Sequence, residues 1–385
     1  MIPLSVPHLK GNEWKYVKDC LDSGWVSSVG EYVTKFEEFL KSYLGRTHAV
    51  ACVNGTSALH LALLAAGVQP QDEVIVPALS FVAPANAVRY VGAFPVFIDA
   101  DHRYWQLDVQ KLKDFLSKEC HIQNQRLVNR HTQRVVKAII PVDILGHPCD
   151  MQAIVSVARE YGLIVIEDNA ESLGSQYLGK PTGALADIVC LSFNGNKIIT
   201  ASGGGMILTD NSQWALRAKY LSTQAKDDEL EYIHHEIGFN ARLTNVQAAI
   251  GLAQMECLDS YVEQKRKIAH NYQEQLKGIA GITLPQEAPG ASSTFWLYTI
   301  LINEKEYGQD RKALLKHLQL KGIQTRPLWH PLDLLKPFKD CYAYHVEIAH
   351  KLYKEALSLP SSVGLSISDQ NKVIDQIKTK REICT

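Results

Sequence analysis

The sequence predicts an α/β fold: a mainly parallel sheet sandwiched by helices, with a smaller α+β unit at the C-terminal end. Three observations predict it. Short Val- and Ile-rich runs alternate with helical patterns between His48 and Asp210, the mark of βαβ units on a parallel sheet. Several runs stop at polar residues, as at Glu167-Asp168 and at Asn194-Gly195-Asn196-Lys197, and open α/β sheets bind ligands beyond such strand ends. Finally, residues 278–293 are rich in Gly, Pro and Ala, a composition shift that separates a large domain, 1–277, from a small one, 278–385.

Residues 1–30 form an irregular segment at the rim of the large domain. Asn12 stands where a helix cap would, and Trp14, Val17 and Leu21 follow at helical spacing. A second helix over 32–44 gathers Val33, Phe36, Phe39 and Leu40 on one side, and Gly45 stops it. The strand at 48–53 runs into Asn54-Gly55-Thr56-Ser57 and a helix over 58–66. Strands at 72–77 and 95–98 follow, with a helix between them. Residues 108–116 read as a helix, 118–132 as a polar surface excursion, 135–142 as a strand and 151–161 as a helix. The runs 163–166 and 188–193 read as buried strands, and 206–210 adds one more. Helices are expected at 214–220, 244–258 and 261–276. The last carries Lys265, Arg266 and Lys267, a basic run that reads as a solvated face. The small domain shows a strand at 295–302, a helix over 311–321 and an extended piece at 324–329. A helical pair, 345–357 and 368–378, closes it.

Composition removes several function classes. Forty Lys and Arg balance 41 Asp and Glu, so no net field draws the chain to nucleic acid or an anionic membrane. The first residues lack the basic and apolar regions of a secretory leader, and the apolar runs are short for a membrane span. Eight cysteines occur without a CxxC pair or a Cys/His cluster. They suit the reduced thiols of a cytoplasmic protein, with no metal site and no disulfide frame.

The candidate chemistry lies at the strand ends. A Gly-containing turn from strand to helix, Gly55-Thr56, offers backbone N–H groups and a helix dipole to an anion, although simple capping explains it as well. Phe81, just past a strand end, is a ring platform or a core residue. Asp168 is a ligand carboxylate or a helix cap. Ser192 offers a hydroxyl. Lys197 is a reactive amine or a surface-turn lysine. Taken together, the set suits a planar phosphorylated cofactor that needs an amine and a carboxylate partner, such as pyridoxal 5′-phosphate (PLP). Lys197 would form the Schiff base, Asp168 would face the ring nitrogen, and Phe81 would stack on the ring. Gly55, Thr56 and Ser192 would hold the phosphate.

The segments VNGTSALHLALLAAGVQPQDEVIVPALSFVAPANAV, FIDAD, EDNAESLGS, SFNGNKIITASGGGMILTD and GFNARLTNVQAA together resemble the DegT/DnrJ/EryC1/StrS family of fold-type-I, PLP-dependent sugar aminotransferases. The likeness is collinear and covers nearly the whole chain. It implies that Lys197 is the Schiff-base and proton-shuttling lysine, and that Asp168 holds the ring nitrogen. Gly55, Thr56 and Ser192 take the phosphate, and Phe81 stacks. Glu171 stands where relatives have Gln, His or Glu beside the cofactor and the sugar. Asn240 matches an Asn that reaches the phosphate of the neighbouring subunit, which implies a homodimer with shared active sites.

The passage QTRPLWHP at 324–331, with NGNKI, is similar to a LegC-like branch. That branch aminates C4 of nucleotide-linked 4-keto-6-deoxy-hexoses on the route to bacillosamine or legionaminic acid. The polar passage 119–132 fits the same branch or any surface loop. L-Glutamate would donate the amine and leave as 2-oxoglutarate, and the acceptor would be a GDP- or UDP-linked sugar. Arg242, Arg326 and His330 are candidates for its diphosphate, with a structural ion pair equally open to Arg326. Amination at C3 is the alternative. Two rivals remain: an NAD-dependent sugar enzyme, which lacks its GxGxxG turn here, and a non-catalytic regulator, which would not need Asp168, Ser192 and Lys197.

Overall fold

The computed structural model describes residues 1–228 and 230–379. Its centre is an eight-stranded sheet. Across it the strands run His48–Cys52, Gly205–Thr209, Ile188–Ser192, Ile164–Asp168, Val136–Ile139, Glu73–Pro77, Phe94–Ile98 and Ala343–Tyr344. Gly205–Thr209 is antiparallel to both neighbours, and the remaining pairings are parallel. The carboxyl ends of the parallel strands therefore lie along one edge.

Both faces of this sheet are covered, which is why its strands read as unbroken apolar runs. Side chains alternate along a strand. Val165 and Leu191 enter one apolar cluster, with Phe36, Phe115 and Phe193. Ile166 and Cys190 enter the other, with Leu59, Leu61 and Val88. Full burial of one such side chain contributes about 1.5–3 kcal/mol.

A second, four-stranded antiparallel sheet runs Ile282–Thr283, Tyr298–Ile302, Ala356–Leu359, Arg326–Pro327. It has its own apolar cluster, with Tyr298, Leu314, Leu357 and Val373. Helix Leu258–Leu276 contributes Ile268, Tyr272 and Leu276 to that cluster, and Tyr272 stacks on Tyr298 at 5.0 Å between centroids. Ala343–Tyr344 pairs with Phe94–Ile98 in the large sheet. The N-terminal segment crosses the small sheet: Ile2 bridges Ile323, and the Ser361 N–H donates to the Leu4 carbonyl.

Several expectations are corrected. Residues 118–132 contain a hairpin, Cys120–Gln123 with Arg126–Asn129. The Asn129 amide donates to the buried Glu73 carboxylate at 2.9 Å, so the hairpin's end is anchored in the protein. The helix at 345–357 is shorter, Ile348–Glu355, and the chain then becomes Ala356–Leu359, an inner strand of the small sheet. Asn12 precedes helix Glu13–Ser23 without capping it by its side chain, and Trp14 and Leu21 are exposed. That helix instead buries Cys20, whose thiol faces the Asn245 carbonyl. Lys265 is buried, not solvated, and its Nζ donates to the Ser361 carbonyl.

Candidate active site

One cavity, of about 290 Å³, opens at the carboxyl edge of the large sheet. The structure brings Gly55, Thr56, Phe81, Asp168, Glu171, Ser192 and Lys197 to its walls, residues spread over more than 140 positions of sequence. Each is delivered by a strand end. Asp168 closes Ile164–Asp168, and Ser192 closes Ile188–Ser192. Lys197 follows in a turn whose Lys197 N–H donates to the Asn194 carbonyl at 2.9 Å.

The helix at the turn after the first strand begins earlier than the sequence suggested, at Gly55. Its cap is Asn54, whose side chain accepts from the Ser57 N–H at 2.8 Å. Thr56 is thereby left inside the first turn, where the Gly55 and Thr56 N–H groups have no partner within the helix. Their dipole end faces the cavity and favours an anion. Gly55 has no substitute here: a Cβ on it would lie 2.8 Å from the Ser192 Cβ.

Asp168 is buried, and one of its carboxylate oxygens accepts from the Ala170 N–H at 3.0 Å. Burial pushes its carboxyl up to about 7; the Ala170 N–H and the Lys197 charge oppose this without cancelling it. A carboxylate in that setting calls for a cation. Glu171 is also buried, and burial again raises its carboxyl. One of its oxygens lies 3.3 Å from the Lys197 Nζ, and the other accepts from the Leu145 N–H at 2.8 Å. Leu145 holds a left-handed backbone, φ 61°, a conformation that costs about 1–3 kcal/mol in a branched residue. Its N–H is thereby aimed at the Glu171 carboxylate.

Sequence reasoning nominated seven residues of the wall and missed the others, Ser80, Asn196, Trp296 and Trp329 among them. Ser80 places a buried hydroxyl that has no hydrogen-bond partner among the described residues. Asn196, Trp296 and Trp329 also line the wall. The Lys197 Nζ lies 4.1 Å from the Trp296 ring centroid. Phe81, half exposed, presents its ring at the opening.

Four other candidates stand elsewhere. Arg242 lines a separate cavity of about 680 Å³ with Lys219, Lys226 and His234. Asn240 is exposed and bridges Thr223 through its backbone. Arg326 is exposed beside Met1 and Gln324, its guanidinium donating to the Thr325 carbonyl at 3.0 Å. His330 is exposed and packs on the Tyr353 ring at 4.9 Å between centroids.

The cavity therefore combines an amine, a buried carboxylate seeking a cation, an anion-binding helix start and an exposed ring platform. It fits PLP, a cofactor with a protonated ring nitrogen, a phosphate and an amine-reactive aldehyde. Fold and site together define an aminotransferase. Residues 7–378 match the DegT/DnrJ/EryC1/StrS aminotransferase family, and the chain belongs to it.

The GDP-perosamine synthase of Caulobacter vibrioides is 40 % identical over 374 residues, covering 97 % of this chain and 96 % of that one. EpsN of Bacillus subtilis, which carries the provisional name of a pyridoxal phosphate-dependent aminotransferase, is 36 % identical, covering 97 % and 94 %. The crystal structure of a DegT/DnrJ/EryC1/StrS aminotransferase from Brucella abortus superposes with a TM-score of 0.87 at 29 % identity, covering 96 % and 95 %.

Proposed function

We propose that this PLP-dependent sugar aminotransferase moves the amino group of L-glutamate to the C4 ketone of a GDP-linked 4-keto-6-deoxy-hexose. The observation that carries the reading is the pairing, across one cavity, of Lys197 with the buried Asp168 beside the Gly55 helix start. Gly55, Thr56 and Ser192 would hold the phosphate, Asp168 the ring nitrogen, and Phe81 the ring face. PLP, when bound, supplies an electron-withdrawing ring that carries an amino group between two carbonyl partners. The chain's own part is to bind, orient and move a proton. Lys197 Nζ takes a proton from the substrate carbon beside the nitrogen and later returns one, as a general acid and base. Glu171, 3.3 Å away, orients that Nζ and stands where the sugar enters. Trp296 and Trp329 exclude water.

The perosamine synthase relatives support a GDP-linked acceptor over a UDP-linked one. They do not carry the narrower bacillosamine or legionaminic-acid route. The reading places the enzyme in the cytoplasm, supplying an amino sugar to a surface polysaccharide. Among the described residues no helix is long and apolar enough to cross a membrane.

The active form in this reading is a homodimer with shared sites. Two observations support it. Asn240 and Arg242 do not line the wall that Lys197 lines, so a partner would bring them to the phosphate and the diphosphate. The N-terminal segment also exposes Trp14, Leu21, Trp25 and Val29, an apolar surface suited to a second copy. Arg326 and His330 would serve the nucleotide at the rim.

Purified protein supplied with L-glutamate should release 2-oxoglutarate with a GDP-linked 4-keto-6-deoxy-hexose. UDP-linked and 3-keto sugars complete the panel. Turnover on 3-keto sugars alone would replace the C4 assignment with C3, and silence across the whole panel would remove the substrate class.

A further inference from the structure

Trp296 is one of the features of the site that neither the strand-end pattern nor the family motifs assigned. It arrives from the chain beyond residue 278, just before strand Tyr298–Ile302, and is almost fully buried. It touches the Lys197 turn twice. Its ring lies under the ammonium, 4.1 Å from centroid to Nζ. Its indole N–H donates at 2.6 Å to the carbonyl of Asn196, the residue before Lys197. That carbonyl also accepts from the Ser5 hydroxyl at 3.0 Å. Two distant segments therefore pin one peptide of the turn.

The segment holding Trp296 is itself fixed. The Ser293 hydroxyl donates to the Gly146 carbonyl at 2.9 Å, and the Thr294 N–H donates to the Ser175 hydroxyl at 3.0 Å. The backbone at Leu145-Gly146 thus holds both halves of the surroundings of Lys197. Leu145 orients Glu171 through its N–H, and Gly146 anchors the approach to Trp296.

We propose that Trp296 is a positioning residue for Lys197. With Glu171 it forms a two-sided seat that receives the ammonium whenever the lysine is not bonded to the cofactor, and its N–H fixes the turn from which the lysine reaches. The physical basis is direct. A cation over an indole face in a desolvated site is stabilised by the ring quadrupole, and an ion pair with Glu171 adds to it. In a two-stage transamination the lysine is released and re-engaged in every cycle. A seat shortens its search by holding the amine in one place. The ionisable groups facing the Lys197 Nζ are Glu171 and Asp168, with Asp143 behind them, as their mutual electrostatic effects show. Trp296 adds a neutral ring face 4.1 Å from the Nζ.

The inference rests on the aminotransferase reading, but its main test needs no turnover. The cofactor-free chain is lightly acetylated with acetic anhydride across pH 7 to 12, and the Lys197 peptide is quantified by mass spectrometry. W296L should move the midpoint of Lys197 reactivity down by about one pH unit, a change of about 1.4 kcal/mol. W296F keeps a ring but loses the N–H. It should hold the midpoint more nearly while slowing capture of added PLP, fixed by borohydride and read by mass, by at least about threefold.

S5A should slow that capture to a smaller degree and leave the midpoint in place. An unshifted midpoint in a folded W296L, or wild-type capture by W296F, would reduce Trp296 to a wall residue. W296F and S5A keep the question open to refutation should W296L not fold. Failure of the wild-type chain to take PLP on Lys197 would instead remove the cofactor assignment, and the acetylation midpoints would still decide the seat.

Discussion

Asp168 and Lys265 make an instructive pair. Both are buried, and burial drives both toward neutrality: the carboxyl of Asp168 is pushed up to about 7, the amine of Lys265 down to about 7. Perturbed titration alone would nominate both as functional. Their surroundings separate them. Lys265 faces the Ser361 carbonyl and sits in a stripe with Tyr261, Ile268 and Tyr272. It ties helix Leu258–Leu276 to the chain beyond Ala356–Leu359. Asp168 faces a cavity shared with a lysine, a second carboxylate and a helix start. The mark of a site is convergence of groups on open space, and a shifted carboxyl or amine is only a sign of burial.

The largest effect that would sharpen this contrast is at Lys197. K197A should lower turnover by about a thousandfold or more and abolish borohydride fixation of the cofactor. Retention of both would break the assignment of the cavity.

Asp168 comes next, with opposite effects on activity and stability. D168N should cost about ten- to a hundredfold in turnover, the equivalent of a charged hydrogen bond worth about 1.5–3 kcal/mol. Its carboxyl has a higher affinity for protons folded than unfolded. The stability it lends is therefore complete below about 3.8 and lost as pH rises toward 7. The cofactor-free D168N chain should accordingly unfold at a higher temperature than wild type at pH 8, and the gap should close at pH 4. A wild-type chain that is the more stable at pH 8 would contradict the burial argument.

Lys265 has the reverse sign. Its folded pKa lies below the unfolded value, so the stability it lends is complete above about 10.5 and lost as pH falls toward 7. K265M should gain about 1–2 kcal/mol at pH 6, flatten the rise in stability from pH 7 to 10, and leave turnover unchanged. A fall in turnover with normal stability would make Lys265 functional after all.

The smallest effect belongs to Asn240. N240A should weaken PLP retention about tenfold in the assembled dimer, measured by dialysis and residual absorbance. Unchanged retention would remove the shared-site reading.

Much of the site was legible because its residues follow strands. Asp168 and Lys197 sit where apolar runs stop, and a parallel sheet puts such stops on one edge. Lys265 was legible too, and misread: the spacing Tyr261, Lys265, Ile268, Tyr272 places it in an apolar stripe, although its neighbours Arg266 and Lys267 suggested a wet face. Trp296 was beyond reach. It meets Lys197 from 99 positions away, through two sheets, and nothing local distinguishes it from core in FWLYTI. The strand Ala356–Leu359 was hidden by brevity, four residues directly abutting a helix.

The pairing of Ala343–Tyr344 with Phe94–Ile98 has a consequence for how the chain is made. Phe97 and Ile98 wait for partners that lie 246 positions further along the chain, 343 − 97 and 344 − 98. Until then Phe97 and Ile98 form an open apolar edge, the kind that recruits a second nascent chain. Slowing translation just before residue 343 should therefore raise the aggregated fraction, whereas a pause far enough beyond residue 344 for it to have cleared the ribosome should not.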